Sequence, residues 1–388
     1  VITTYRFRLY PTKTQGCLME ETLETCRRLY NDLLAETSEK RLNFYQKQAS
    51  LVTRKVDNKY LKAVHSQVLQ DVNLRLDKAF IAWFEGLTRR PRFKRQGRYN
   101  SFIYPQQPGF RIGSNRLELS KIGSVKMKLH REIMGEPKRC TVIRDIDKWY
   151  AAIQVEVPDI KVPYNDKPPV GVDLGLINLA VLSDGTTFEN PRHLRKSINK
   201  IGELQKSLSR KKSGSKNRDK AKYTLARRWR KVRNQRLDHC HKVSHHLAKN
   251  YSTIVFEDLH VPRMVRNHNL AGAIIDAAWG QLRTLTAYKA ERNGGQVIIV
   301  NPRGTSQECS RCHRVVPKDL SMRVHGCPEC GVVLDRDVNA ANVVLQRGLE
   351  WARAEEQPLL SAPKRRISKF APVKQEARGI GRGWSTHL

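Results

Sequence analysis

The stretch Val170-Gly171-Val172-Asp173-Leu174-Gly175 places one acid inside what is otherwise an apolar β-strand. A second apolar run, residues 179–182, ends at a Ser-Asp-Gly turn, so the two segments predict a buried β-hairpin. Burying a lone carboxylate costs several kcal/mol unless the group is paired, hydrogen-bonded or bound to a metal ion. Asp173 is therefore a candidate functional residue in the core of an α/β domain.

Two further acids occupy comparable positions. Glu257 ends the apolar strand 253–256, and Asp337 opens a helix predicted over residues 337–347. Three acids at the ends of core elements predict one site for divalent cations, and hard oxygen ligands suit Mg²⁺ or Mn²⁺. Two such ions can activate water and stabilise the leaving oxygen in phosphodiester hydrolysis. The order strand and acid, strand and acid, helix and acid is that of an RNase H-like nuclease core.

Each acid also has an ordinary structural interpretation. Asp337 could cap the N-terminus of its helix, where a carboxylate accepts hydrogen bonds from backbone amides. Glu257 could be a surface acid at a strand end, with Asp258 on the opposite face. The hairpin after Asp173 and the basic surroundings favour a shared metal site over these alternatives.

Four of the eight cysteines form two Cys-x-x-Cys pairs. Fourteen residues separate Cys309-x-x-Cys312 from Cys327-x-x-Cys330, a spacing typical of a four-thiolate zinc ribbon. Four protein ligands leave no open coordination position, so the predicted Zn²⁺ is structural. The alternatives are two reduced thiol pairs, or participation of His313 and His325, which flank the pairs.

The chain has 388 residues, with 72 Lys and Arg against 37 Asp and Glu, and a formal net charge of +35. This surplus indicates a polyanionic partner, and nucleic acid is the leading candidate. No run approaches the roughly 18 apolar residues of a membrane span, so we expect no membrane partner and a cytoplasmic protein, nucleoid-associated when bound to DNA. A hydrophobic content of 39% excludes a fully disordered chain.

The positive charge is concentrated. Residues 201–250 contain 16 basic and 3 acidic side chains, on a predicted helical hairpin of residues 197–209 and 220–249. A solvated helix face is the ordinary explanation, but the cations of the connecting loop, unmatched by acids, favour contact with phosphates. A second basic segment lies near Phe93 and Tyr99, whose rings could stack on bases. The candidate nucleic-acid contacts are Arg92, Lys94, Arg95, Lys211, Lys212, Arg227, Arg228 and Lys231.

The N-terminal part has a different pattern. Residues 5–10 predict a strand that ends before Pro11, and residues 14–39 and 59–84 predict helices. Strands are predicted at 102–104, 116–119, 125–129 and 151–157. This order predicts a small β-barrel with helices inserted after its first strand. Residues 158–169 contain four prolines and predict a linker.

Five motifs in this order resemble those of the TnpB family, transposon-encoded RNA-guided nucleases related to the type V CRISPR effectors. The motifs are Gly171-Val172-Asp173-Leu174-Gly175, Val255-Phe256-Glu257-Asp258-Leu259, Thr305-Ser306-x-x-Cys309-x-x-Cys312, Cys327-x-x-Cys330-Gly331 and Asp335-Arg336-Asp337-x-Asn339-Ala340-Ala341. The opening Arg6-Phe7-Arg8-Leu9-Tyr10-Pro11-Thr12 is also similar to the family's start. The resemblance covers nearly the whole chain apart from the tail.

The resemblance implies a fold that combines an α/β core with a β-barrel. It implies a split RuvC nuclease domain, RNase H-like, over residues 166–303 and 332–350, with Asp173, Glu257 and Asp337 as catalytic acids and Asp335 as a non-catalytic neighbour. A zinc-ribbon module that binds the target nucleic acid would occupy residues 304–331. An N-terminal wedge barrel would comprise residues 1–12 and 96–165, interrupted by a helical recognition insertion at 13–95. Residues 351–388 would form a basic tail.

The implied activity is magnesium-dependent cleavage of double-stranded DNA that matches a guide RNA and is flanked by a short transposon-adjacent motif. The guide RNA would derive from the transposon end. Two rival functions remain open. A guide-dependent repressor would bind its target without cutting it, and a transposase with an RNase H-like core would join DNA ends rather than hydrolyse them.

Overall fold

A computed structural model describes residues 1–40, 42–158, 163, 165–319 and 322–356. The chain divides into two compact units between residues 160 and 161. No helix in the described residues is long and apolar enough to cross a membrane.

The first unit contains a seven-stranded antiparallel sheet and four helices. Strand β1 (Ile2–Tyr10) is followed by helices α1 (Lys13–Lys40), α2 (Phe44–Asp57), α3 (Lys59–Lys62) and α4 (Ser66–Phe84). The other strands are β2 (Ser101–Tyr104), β3 (Phe110–Ile112), β4 (Arg116–Leu119), β5 (Gly123–Lys128), β6 (Glu136–Asp145) and β7 (Lys148–Glu156). The sheet order is β2-β6-β7-β1-β5-β4-β3. Alternate side chains of each strand enter one core, which includes Phe7, Leu9 and Val142.

The small β-barrel predicted for this unit is not closed within the described residues. Strands β2 and β3 lie at opposite edges, and no ladder of hydrogen bonds joins them within the described residues. Alternation along a strand identifies its buried face but says nothing about which strand lies beside it. Both edge strands are short, with four and three residues. Helix α4 packs against β2, so this edge is protected by a helix rather than by a further strand.

The helices inserted after β1 differ in part from the prediction. Helix α1 matches the predicted segment to within one residue at each end. The second predicted helix is divided into α3 and α4, with His65 as the N-cap of α4. Helix α2 was not predicted, and its N-terminus is closed by a capping box between Asn43 and Gln46.

The second unit contains a five-stranded mixed sheet flanked by helices. Its strands are β8 (Val170–Asp173), β9 (Asn178–Leu182), β10 (Thr187–Glu189), β11 (Thr253–Glu257) and β12 (Gln296–Val300), in the order β10-β9-β8-β11-β12. Strands β8 and β9 form the predicted hairpin, and β11 runs parallel to both β8 and β12. A 3₁₀ turn (Arg195–Ser197) precedes α5 (Ile198–Ser209) and α6 (Lys216–Asn250), which form the predicted helical hairpin.

The remaining elements follow β11. Helices α7 (Val261–Met264), α8 (His268–Ala277) and α9 (Trp279–Arg292) precede β12, and a two-stranded ribbon of β13 (Val324–Gly326) and β14 (Val333–Asp335) leads into α10 (Arg336–Glu356). Helix α10 is nine residues longer than the predicted 337–347 at its C-terminal end. Residues 357–388, most of the predicted tail, lie outside the described residues.

Helix α10 lies directly on the sheet because two glycines allow it. A Cβ atom at Gly171 would be 2.0 Å from the carbonyl oxygen of Ala341, and a Cβ at Gly348 would be 2.5 Å from Val255 Cγ2. Only glycine permits backbone contact this close. The result is that the N-terminal turn of α10 is held near the carboxyl ends of β8 and β11.

Candidate metal sites

The three acids predicted from the sequence lie at one edge of the second sheet. Asp173 is the last residue of β8, and Glu257 is the last residue of β11, the parallel neighbour of β8. Asp337 is in the first turn of α10, which packs against β8 more extensively than against any other strand. Parallel strands end at the same edge, so the topology itself brings Asp173 and Glu257 together.

The electrostatics of Asp173 show that the acids influence one another. Burial, followed by the negative charges of Glu257 and Asp337, raises the pKa of Asp173 to about 8, against the opposing charge of Arg336. The side chain of Asp173 is half-buried, and like charges near such a carboxylate disfavour its ionisation. At neutral pH without a cation, this carboxyl group therefore keeps its proton in much of the population.

Glu257 is buried, with 5% of its surface exposed. Burial raises its pKa, whereas a hydrogen bond from Thr305 and the charge of Arg347 lower it. The Thr305 hydroxyl donates to Glu257 Oε1 at 2.5 Å. The neighbouring Asp258 has a side chain that is 71% exposed and pairs with Arg283, so it does occupy the opposite face.

The N-terminus of α10 is capped by Asp335 and not by Asp337. The Asp335 carboxylate caps α10 by accepting hydrogen bonds from the backbone amides of Asp337 at 2.8 Å and Val338 at 3.2 Å. The Asp337 carboxylate is thus not used as the cap. It accepts a hydrogen bond from Arg336 Nε at 3.1 Å and retains lone pairs for another partner.

The donor set of the three acids fits a hard divalent cation. Three carboxylates supply oxygen ligands, and two of them, Asp173 and Glu257, have raised pKa values because burial outweighs the opposing charges of Arg336 and Arg347. Among the described residues, only the four cysteines form a group of three or more candidate ligand atoms that all lie within 4.8 Å of one another. At least one pair of the three carboxylates is therefore separated by more than 4.8 Å.

The raised pKa of Asp173 predicts a pH-dependent stability. Between about pH 4 and pH 8 the folded chain holds a proton on Asp173 that the unfolded chain releases. The free energy of unfolding should therefore fall as pH rises in this range, by at most about 1.4 kcal/mol per pH unit. Above about pH 8 it should level off. The measurement is urea unfolding from pH 6 to 8.5 in magnesium-free buffer. Asp173→Asn should remove this slope and Asp258→Asn should keep it; equal slopes in Asp173→Asn and wild type would contradict the assignment.

The four cysteines form a second candidate metal site. Their sulfur atoms all lie within 4.8 Å of one another. The Sγ atoms of Cys309 and Cys330 are 3.6 Å apart, and those of Cys312 and Cys327 are 3.5 Å apart. Tetrahedral zinc with Zn–S bonds of about 2.3 Å requires sulfur separations of about 3.8 Å, so the cysteines could hold zinc with little movement.

The two flanking histidines lie outside the cysteine cluster. His313 Nδ1 is 2.9 Å from Glu308 Oε1, and His325 Nδ1 contacts the Lys318 ammonium. His313 has a φ of +60°, a left-handed conformation that glycine adopts at lower cost. Neither imidazole belongs to the group of ligand atoms within 4.8 Å of one another.

Helix α10 also anchors the first cysteine pair, a role that the sequence did not reveal. The Asn339 side chain accepts from the Ser310 amide at 3.0 Å and donates to the Glu308 carbonyl at 2.7 Å. Gln346 Nε2 donates to the Ser310 carbonyl at 2.7 Å. The spacing of these two residues, seven apart, places both on one face of α10. The helix that presents Asp337 is thus also the support of Cys309.

The basic candidates of the second unit differ in exposure. Lys211, Lys212, Arg227 and Lys231 are exposed. Arg228 is half-buried, and its guanidinium donates to Ser197 Oγ at 3.1 Å, a contact between α6 and the start of α5. Exposure makes Lys211, Lys212 and Lys231 accessible to a phosphate, and the Arg227 guanidinium lies 5.7 Å from the centre of the Tyr223 ring. Arg228 contributes instead to the packing of the helical hairpin.

The basic candidates of the first unit show a similar division. Arg92 and Arg95 are exposed. The backbone of Lys94 is hydrogen-bonded to Arg27 and Asn31 on α1, and its ammonium lies 5.3 Å from the centre of the Tyr30 ring. Segment 92–95 is therefore held against α1, with Phe93 61% exposed and free of the core.

Comparison with known proteins places the chain in a family. A protein of Escherichia coli K12 named "Putative RNA-guided DNA endonuclease InsQ" is 34% identical over 369 residues, which cover 89% of this chain and 92% of that protein. The chain belongs to the TnpB family. A Streptomyces pristinaespiralis protein named "Putative RNA-guided DNA endonuclease" is 31% identical and covers 89% of each chain. A "TnpB-like protein L770" of Acanthamoeba polyphaga mimivirus is 25% identical and covers 90% of this chain and 74% of its own.

Three family models match parts of this TnpB chain. Residues 152–268 match a model described as "Probable transposase", and residues 279–344 match a "Cas12f1-like, TNB domain", which includes all four clustered cysteines. Residues 1–43 match a "Helix-turn-helix domain". In the described part of that last segment the structure has one strand and one 28-residue helix instead.

One solved structure, entitled "Cryo-EM structure of CasPhi-2 (Cas12j) bound to crRNA", aligns over 90% of this chain and 98% of its own. The sequences are 10% identical and the TM-score is 0.41.

Proposed function

We propose that this TnpB chain is a transposon-encoded, RNA-guided endonuclease that cleaves double-stranded DNA. The observation that carries the proposal is the placement of Asp173, Glu257 and Asp337 at one edge of the second sheet, where burial and then the charges of the other two acids raise the pKa of Asp173. The names of the E. coli and Streptomyces relatives support the same activity.

The strand order of the second sheet supports the RuvC-type, RNase H-like assignment. An antiparallel hairpin of β8 and β9 is extended on the β8 side by the parallel strands β11 and β12. The acids come from the first strand of the hairpin, the adjacent parallel strand and the last helix. Retention of all three acids favours cleavage over a repressor that binds without cutting.

The chemistry follows from the carboxylates. Bound Mg²⁺ or Mn²⁺ would activate water and stabilise the leaving oxygen of the phosphodiester. Asp173 and Glu257, at the ends of adjacent parallel strands, would provide ligands on rigid elements, and Asp337 would approach from α10. Asp335 holds the first turn of that helix by its cap hydrogen bonds, which fixes the direction of Asp337.

The charge of the chain supports a nucleic-acid complex. In RNA-guided recognition the sequence is read by base pairing, while the protein holds the heteroduplex through its backbone and shape. The exposed cations Lys211, Lys212, Arg227 and Lys231 are suited to holding the heteroduplex, because attraction between a cation and a backbone phosphate does not depend on the base sequence. Arg92 and Arg95 form a second such surface, beside the exposed ring of Phe93.

We further propose that Zn²⁺ occupies the cysteine cluster and that residues 304–331 form the module that contacts the target. The first unit would form the wedge and recognition domains, and residues 166–303 with 332–350 the nuclease domain. The guide would derive from the transposon end, and the protein would recognise a short motif beside the target.

The chain purified from cells that contain its transposon is expected to carry a defined RNA. Sequencing should map that RNA to the transposon end, because specificity is delegated to pairing. Ribonuclease treatment should remove DNA cleavage, and the same RNA added back should restore it. A conventional transposase needs no RNA, so cleavage or joining of DNA ends that persists after ribonuclease treatment would contradict the proposal.

A further inference from the structure

Thr305, in the motif Thr305-Ser306-x-x-Cys309, has a hydroxyl group whose role is not explained by the proposed zinc site or by the three acids. Thr305 follows the end of β12 by five residues and is 2% exposed. Its hydroxyl donates to Glu257 Oε1 at 2.5 Å, across 48 residues of sequence. The same oxygen is 3.0 Å from the Pro302 carbonyl, within a tight turn of its own loop.

The loop that presents Thr305 is fixed to α10 by one arginine. Arg347 Nη1 donates to the carbonyls of Asn301 and Arg303, each at 2.9 Å, and Nη2 donates to Glu308 Oε2 at 2.5 Å. These contacts enclose Thr305 on both sides along the chain. Because Glu308 immediately precedes Cys309, the same guanidinium fixes the start of the first cysteine pair.

The contacts of Glu257 divide its carboxylate into two oxygens with different surroundings. Oε1 accepts from Thr305, and among the described residues no hydrogen bond reaches Oε2. The backbone of this residue is also fixed, since Arg283 Nη1 donates to the Glu257 carbonyl at 3.1 Å and the Asp258 amide donates to the Val300 carbonyl at 2.8 Å. A carboxylate with one oxygen held and the other open has one orientation in which to receive a cation.

We propose that Thr305 is a positioning residue for the nuclease reaction: its hydroxyl orients Glu257 so that Oε2 faces the cation site, and Arg347 makes this contact depend on the loop that leads into the cysteine cluster. This inference rests on the proposed function, since it concerns the metal ligand of that reaction. Its consequence is that the cation affinity of the acid site is set in part by a residue of the cysteine-containing segment.

The test compares Thr305→Val, Thr305→Ala and Thr305→Ser in the guide-loaded full chain. A hydrogen bond to a charged group strengthens an interaction by roughly tenfold or more, so removing the hydroxyl should raise the Mg²⁺ concentration for half-maximal cleavage by about tenfold, and Thr305→Ser should stay within about twofold of wild type. The matched control is Thr286→Val. Thr286 is also fully buried, but its hydroxyl donates to the Leu282 carbonyl within α9.

A second readout does not depend on cleavage. Mn²⁺ binding is measured by electron paramagnetic resonance, and the signal of Asp173→Ala complexes is subtracted to remove ions held by the RNA. Of the threonine variants, only Thr305→Val and Thr305→Ala should bind Mn²⁺ more weakly than wild type. Zinc content should be unchanged; if Thr305→Val loses zinc, Thr305→Ala, which adds no methyl group, decides the comparison. Unchanged Mn²⁺ binding in a zinc-loaded variant without the hydroxyl overturns the proposal. A wild-type chain that binds Mn²⁺ yet cuts nothing would refute the proposed function and leave the Thr305 comparison intact.

Discussion

Replacing Asp173 with asparagine is expected to reduce cleavage of a matched plasmid by about a thousandfold or more, since each 1.4 kcal/mol of lost transition-state stabilisation costs a factor of ten and a metal site supplies several kcal/mol. The substitution is nearly isosteric but weakens cation binding. Guide RNA and target DNA should still bind, because the exposed cations proposed to contact phosphates are untouched. Plasmid cleavage and gel-shift binding, measured on the same preparation, separate the two effects.

The matched control for this prediction is Asp258→Asn. Asp258 is adjacent to Glu257 in sequence, but its side chain is exposed and paired with Arg283. An exposed ion pair contributes about 0–1 kcal/mol, so this variant should cleave at a rate close to wild type.

Magnesium-free Asp173→Asn should also be more stable than wild type, because a carboxyl group whose burial is unfavourable has been removed. Wild-type cleavage by Asp173→Asn would exclude this residue from the site.

Removing one thiolate of the cysteine cluster is expected to have the second largest effect. The wild-type chain is expected to bind one zinc ion, and Cys312→Ser well below one. The substitution should also unfold the segment around β13 and β14, since structural zinc contributes roughly 10 kcal/mol or more to such small modules. Cleavage should fall by about a hundredfold or more, because Thr305 and the support of Glu257 belong to the loop that leads into the cluster. Zinc content by mass spectrometry of metals and cleavage rate check the two parts.

Cys17→Ser is the control for the cysteine variant. Cys17 is exposed on α1, in the first unit, and is not among the clustered sulfur atoms. Zinc content and cleavage should both remain at wild-type values in this variant. Full cleavage by a Cys312→Ser protein that has lost its zinc would show that the cluster does not support the acid site.

The acids were predictable because the chemistry that reveals them is local. A carboxylate that interrupts or ends an apolar strand is costly wherever the strand lies, so Asp173 and Glu257 could be selected from a few neighbouring residues. The fold shows in addition that their strands are adjacent and parallel, which the sequence analysis did not predict. Their assignment as catalytic ligands remains a prediction that the variants above test.

The features that sequence reasoning missed depend on contacts between distant residues. Nothing near Thr305 indicates that its hydroxyl meets Glu257, and nothing in the alternation of β2 and β3 indicates that they do not pair. Strand β6 escaped prediction because it opens with Glu136-Pro137-Lys138, residues that disfavour strands, and is stabilised instead by its neighbours β2 and β7. Tertiary pairing outweighed local preference in that strand.

The most direct test of the central claim is reprogrammed cleavage. The purified chain is loaded with its guide RNA and incubated with Mg²⁺ and two plasmids. One plasmid matches the guide beside the native flanking motif, and the other carries an unrelated sequence in the same place. The guide segment is then exchanged to match the second plasmid. The account predicts double-strand cutting of the matched plasmid alone, a switch of target when the guide is exchanged, and loss of both in Asp173→Asn. Equal cutting of both plasmids, or stable binding of the matched plasmid with no cut by the wild-type chain, would contradict it.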